Sequence, residues 1–273
     1  MTDLWVRLVG TLAVSRGGTV HIGGEVGSRK ARLLLALLAL EGGRPVPADS
    51  IVDSLWAGEP PRRAAEGLAT LVSRLRGTFG QEIVAGGREG YRLGRGVGTD
   101  LREAATRIAV ARRLLDGGRP VAALACARRA LELLGDVVGR GGTLGRVLAD
   151  LPDGAVTRRA AALHTDLLRQ ARHAAAAAGP DAGDHATAVC AARAAVAADA
   201  LDEVACRLLM RAHLAAGEAG YALAAYEELR DALADALGCD PAPMTRDLHT
   251  AALRAGRLRP APAWSDHGVG VGG

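Results

Sequence analysis

Aromatic side chains are scarce in this 273-residue chain, at 3%, with a single phenylalanine. A core without them must be built from Leu, Val and Ala, which favours many closely packed helices over a thick sheet sandwich. Long hydrophobic runs are lacking too. The longest near the start is Leu33–Leu40, well short of the about 20 residues that a membrane helix needs, so it reads as a buried helix. It also starts too late, and lacks the small-residue cleavage site, for a secretory leader. Cysteine is limited to Cys126, Cys190, Cys206 and Cys239, with no C-x-x-C pair and no closely spaced histidines. They read as reduced thiols in a cytoplasmic helical core rather than zinc ligands or a disulfide frame. No metal, cofactor or membrane partner is expected.

Catalytic motifs are missing as well. Gly23–Lys30 is glycine-rich but lacks the G-x-x-x-x-G-K-[ST] order of a phosphate loop. There is no G-x-S-x-G, H-E-x-x-H or paired-carboxylate motif. His164, His173, His185, His213 and His249 are scattered singly, as surface or core histidines are. An enzyme is not expected.

Lysine is nearly absent: Lys30 stands alone against 33 arginines. With abundant Ala and Gly, this points to a GC-rich coding sequence, so arginine excess alone says little about nucleic acid. Its placement says more. Residues 1–98 hold 13 basic and 9 acidic side chains, whereas residues 99–273 hold 21 of each. The whole net charge of +4 therefore lies in the first third, and a polyanionic partner belongs there. Apolar residues at 49% and charged residues at 23% exclude wholesale disorder.

Leu4–Val9, Leu12–Val14 and Val20–Ile22 read as short strands around a Gly17-Gly18 turn. A helix follows from Ser28, its N-cap, to Glu41, stopped by Gly42-Gly43. A second runs from about Asp49 to Trp56, and a third from about Arg62 to Phe79, closed by Gly80. Glu82–Val84 and Gly90–Leu93 form a hairpin. Strands, three helices and a terminal hairpin in under 100 residues predict a winged helix-turn-helix. Residues 95–99 read as a linker. From Asp100 onward only helices are expected, at about 100–116, 119–134, 155–178, 184–198, 202–216, 219–237 and 243–254. Ala123, Ala127 and Ala130 share a spacing with Ala188, Ala192 and Ala195, and with Ala222, Tyr226 and Leu229. The last two sets lie 34 residues apart, the period of tetratricopeptide helix pairs. The fold class is thus mainly α: an N-terminal α/β winged helix-turn-helix over 1–96, an all-α tetratricopeptide-like domain over 100–255, and a disordered tail over 256–273.

In the third helix, Leu68, Leu71, Val72 and Leu75 form the buried stripe. At about 100° per residue, Arg63, Glu66, Thr70, Ser73 and Gly77 fall opposite, flanked by Arg62 and Arg74. Such a face suits a major groove, with Glu66 able to accept from cytosine; a plain solvated face is the alternative. Arg88 and Arg92 lie on the glycine-tipped hairpin and suit backbone or minor-groove contact. Tyr91 and Trp56 read as packing residues.

These motifs also carry a family likeness. The chain resembles the Streptomyces antibiotic regulatory proteins, an OmpR-type winged helix followed by a bacterial transcriptional activator domain, over about residues 4–254. The carriers include Lys30–Leu38, Asp53–Trp56, Glu59-Pro60-Pro61, Val72–Arg76, Gly90–Leu93, Leu209–His213, Ala224–Tyr226 and Leu237–Pro243. The resemblance implies an activator of secondary-metabolite genes that binds direct repeats in double-stranded DNA as a homodimer or tandem monomers, and recruits RNA polymerase. It carries over Arg62 or Arg63, Thr70, Ser73, Arg74 and Arg76 as DNA contacts, with Arg88 and Arg92 on the wing; helical projection sets Arg76 off the outward face. Glu66-Gly67 and Ala69 depart from the family's usual pattern. The rival reading is a tetratricopeptide-type interaction or ligand-sensing protein whose winged helix no longer reads DNA.

Overall fold

A computed structural model describes residues 4–56, 59–136 and 145–257. The chain opens with an antiparallel meander of β1 (Leu4–Arg7), β2 (Ala13–Arg16) and β3 (Thr19–Ile22). Gly17 and Gly18 both have positive φ, as a tight turn matched to strand twist requires. A short 3-10 turn at Gly23–Val26, absent from the sequence reading, leads to α1 (Arg29–Leu40). Ser28 caps α1: its Oγ accepts from the Ala31 N–H at 3.3 Å.

Next come β4 (Val46–Pro47), α2 (Ala48–Trp56) and α3 (Ala64–Phe79). Gly80, at φ +93°, ends α3. The hairpin of β5 (Val84–Gly87) and β6 (Gly90–Leu93) pairs with β4 in the order β4-β6-β5. Three helices and a hairpin wing form the winged helix-turn-helix that the sequence predicts. β4 is not legible in the pattern, since a two-residue strand has no period to detect.

The rest is helical: α4 (Asp100–Asp116), α5 (Pro120–Leu133), α6 (Ala155–Ala178), α7 (His185–Ala198), α8 (Glu203–Ala215), α9 (Ala219–Leu237) and α10 (Pro243–Arg257). Each packs on its sequence neighbour, and α4 on α6, α6 on α8 and α8 on α10, as in a helical-repeat stack. Ala123, Ala127, Ala130, Ala188, Ala192, Ala195 and Ala222 are all buried at helix contacts. Their small size lets the backbones approach closely.

The expected linker is a correction. Gly98–Thr99 forms β7, parallel to β1, Val97 is buried, and the Thr99 hydroxyl caps α4 by accepting from the Arg102 N–H at 3.2 Å. The two halves are joined further along the edge of the first sheet. Leu148 N–H donates to Leu8 O at 2.8 Å, Ala149 N–H to Gly10 O at 2.9 Å, and Gly10 N–H to Arg146 O at 3.1 Å. Asp150 Oδ1 accepts from the Leu12 N–H at 2.8 Å. Its Oδ2 lies 3.1 Å from Arg32 Nε on α1, an ion pair off the hydrogen-bond axis. Arg159 on α6 pairs with Glu41 after α1. Buried side chains from both halves form one apolar cluster, in which Leu148 sits at φ +54° with no exposed surface. A left-handed leucine persists only where its surroundings hold it.

The cysteine reading needs adjusting. Cys206 alone is buried; Cys126 and Cys190 are half-buried and Cys239 is exposed between α9 and α10. Burial pushes the Cys206 thiol up to about 12, and its Sγ donates to Ala225 O at 3.3 Å. Among the described residues no helix is long and apolar enough to cross a membrane. Residues 256–257, placed in a tail by the sequence reading, complete α10; 258–273 lie outside the described residues.

Candidate nucleic-acid interface

The apolar stripe of α3 is Leu68, Val72, Leu75 and Phe79, all buried. Leu71, assigned to it from sequence, is half-buried because it sits one step round the helix. Burying the stripe drives the other side outward. Arg62, Arg63, Glu66, Thr70, Ser73 and Arg74 are all exposed, and none of α4 to α10 lies among the elements most closely packed on α3. Arg63 and Glu66 form a 3.6 Å ion pair at 82% and 71% side-chain exposure. Such a pair contributes little and can open to a competing anion. The Thr70 hydroxyl donates to Glu66 O at 2.9 Å, so its outward lone pairs stay available. Arg74 lines a cleft of about 330 Å3 between α3 and the start of α1, with Ser28 and Thr78 beside it.

Arg88 is exposed in the wing turn, and Arg92 is half-buried on β6 opposite Ala85. Tyr91 is buried, as a packing residue should be. A groove of about 590 Å3 runs between Pro45–Pro47 and Gly86–Gly90. Arg76, also assigned as a DNA contact, has partners within the fold. Its Nε donates to Val84 O and its Nη2 to Gly86 O, both at 3.0 Å, so the guanidinium is committed to the wing. The helical projection places Arg76 off the outer face; nothing in the sequence names the carbonyls that receive it.

One contact escaped sequence reading altogether. Lys30 Nζ sits 4.1 Å above the Trp56 ring, a cation–π contact between α1 and the end of α2. Gly67 of α3 lies against the same ring. The lone lysine thus ties the start of α1 to the end of α2.

Residues 99–253 match the bacterial transcriptional activator domain. The chain is 31% identical over 250 residues to the transcriptional regulator RedD of Streptomyces coelicolor, covering 91% of this chain and 70% of RedD. The chain belongs to the Streptomyces antibiotic regulatory protein family. It is also 34% identical over 244 residues to the regulatory protein AfsR of Streptomyces coelicolor, covering 84% of this chain but 22% of AfsR. It therefore spans about a fifth of the length of that relative. A solved structure of Mycobacterium tuberculosis EmbR in complex with a low-affinity phosphopeptide superposes with a TM-score of 0.77 at 27% identity. That likeness covers 93% of this chain and 66% of EmbR.

For a Streptomyces antibiotic regulatory protein, the arrangement offers an exposed polar helix face, bordered by arginines, and a ribbon bearing Arg88 and Arg92 beside it. Its relatives are regulatory proteins. Among the described residues, no group of three or more His, Cys, Asp or Glu side chains could hold a metal ion. Two of the histidines have structural surroundings: His164 Nε2 donates to Leu134 O at 2.9 Å, and His213 Nδ1 lies 2.7 Å from Glu218 Oε2.

Proposed function

We propose that this protein is a sequence-specific DNA-binding transcriptional activator, with residues 1–96 as its DNA-binding domain and 100–255 as its activator domain. The α3 face of Arg62, Arg63, Glu66, Thr70, Ser73 and Arg74 enters the major groove and reads base edges. Arg88 and Arg92 reach the backbone or minor groove from the wing. The helical domain holds two copies on direct repeats, about one helical turn apart, and recruits RNA polymerase at secondary-metabolite promoters in the cytoplasm. The protein works without cofactor or catalysis.

The single observation that carries this reading is the open outer side of α3. Arg62, Arg63, Glu66, Thr70, Ser73 and Arg74 are exposed, and the ion pair recorded among them, Arg63–Glu66, is a weak surface contact. The test is selection from a random duplex pool, followed by footprinting on the winning sequences. Enrichment of a spaced direct repeat, bound more weakly as salt rises, supports the reading. Binding with no sequence preference overturns it.

A second reading, of a tetratricopeptide-type interaction or ligand-sensing protein, draws on a pocket of about 440 Å3 lined by His185, Val189, Cys190, Arg193, Ala216 and Glu218. It requires the helical domain to capture a partner while DNA has no effect.

A further inference from the structure

In the three-stranded sheet, β5 is an outer strand with β6 on one side only. Val84 and Gly86 are alternate residues, so their carbonyls point along the same open edge. Among the described residues no strand meets them there. Instead the half-buried Arg76 side chain crosses from α3 and donates one hydrogen bond to each, at 3.0 Å. A planar guanidinium takes the place of a neighbouring strand.

Past that clasp the ribbon turns at once. Gly86 has φ +113°, and a Cβ there would lie 2.2 Å from Gly90 O, so the turn accepts only glycine. Arg88 sits two residues on. On the far side β4 pairs with β6, and the Ala48 N–H donates to Glu89 O at 3.3 Å. The other side-chain tie recorded among the described residues is a 3.1 Å ion pair from Arg16 on β2 to Glu82, with side chains 43% and 39% exposed. A pair that wet holds little. Arg76 is therefore the main side-chain tether between the helix and the wing tip.

We propose that Arg76 is a positioning residue that sets the wing against α3, so that Arg88 meets DNA at a fixed offset from Arg63 and Arg74. This rests on the reading of the winged helix as a DNA-binding module. A ribbon ordered in advance loses less freedom on binding, so more of the Arg88 contact appears as affinity.

The test is a double-mutant cycle on a selected duplex, with Arg76→Met and Arg88→Ala made singly and together in the full chain. Each single change lowers affinity roughly tenfold, the scale of one charged contact. The double variant binds little more weakly than Arg88→Ala, because the wing-tip contact that Arg76 positions is already gone. On an Arg74→Ala background the Arg76→Met loss stays additive. Arg76→Lys, which keeps the charge and a single donor nitrogen, recovers part of the affinity.

Amide exchange without DNA gives an independent readout. Gly87–Gly90 exchange faster in Arg76→Met while Leu68–Leu75 stay protected. Additive losses with Arg88→Ala, together with a salt slope lower by about one in Arg76→Met, would mean that Arg76 touches DNA itself and would overturn the proposal. Unchanged wing exchange alongside normal duplex binding would remove the tether alone. Wild-type protein that binds no duplex would overturn the proposal together with the DNA reading beneath it.

Discussion

The carboxylate of Asp100, at the first residue of α4, accepts the backbone N–H of Leu8 at 2.7 Å across 92 positions of sequence. The same Oδ2 accepts from Val9 at 2.8 Å, and Oδ1 from Leu101 at 2.9 Å. One side chain thus joins the chain just after β1 to the helical half. Burial pushes the Asp100 carboxyl above its ordinary value, and the backbone donors offset this only in part.

Asp100→Asn should cost about 1–3 kcal/mol, since whichever way the amide turns its nitrogen faces a buried N–H, of Leu101 or of Leu8 and Val9, that loses its acceptor. The pH dependence has a definite sign. With the folded value raised, the fold favours the protonated acid, so this group's contribution is greatest below the ordinary value of 3.8 and declines as pH rises through the folded value. Denaturant titrations at several pH values should show the margin of wild type over Asp100→Asn narrowing upward from that point. A margin that widens would mean the donors outweigh burial.

Gly67→Ala should stabilise the protein by about 0.5–1 kcal/mol, the cost of glycine inside a helix. There is room for the methyl: a Cβ at Gly67 would lie 3.6 Å from Trp56 Cζ2, an ordinary contact. A lower unfolding midpoint in the variant would show that the ring and α3 are packed more tightly than this distance indicates.

Two imidazoles govern the response nearer neutrality. Burial is the main cause lowering His164 and His173 below the ordinary 6.5; Arg172 and Arg169 add to it, and Asp100, Asp136 and Asp202 act against it. The fold therefore favours neutral rings, whose contribution is complete above 6.5 and is lost as pH falls through the lower folded values. His164→Gln removes one of these groups. The margin of wild type over this variant should shrink from about pH 7 to 5; a constant margin would contradict the assignment.

Much of this was legible before any coordinates. Glycine and proline punctuation marks the helices from Asp100 onward, and the alanine spacing marks their contacts. Ser28 announces the start of α1, and the 3.6-residue period of α3 separates Leu68, Val72 and Leu75 from Arg63, Thr70 and Ser73. What stayed hidden depends on distant pairings. The two-residue β4 and β7 have no periodicity. Asp100 and Asp150 find their backbone donors 92 and 138 residues away, and nothing local marks Leu148 as left-handed. Arg76 looks like any arginine on a basic helix until the edge of β5 lies beneath it.

The proposed reading of DNA by the outer face of α3 calls for a fluorescence-anisotropy titration of a selected direct-repeat duplex with wild type, Arg63→Ala and Arg74→Ala, at several salt concentrations and against a scrambled duplex. Wild type should bind the repeat more tightly than the scramble and weaken steadily with salt. Each variant should lose about 1–3 kcal/mol on the repeat and much less on the scramble. Equal affinity of all three proteins for both duplexes would contradict it.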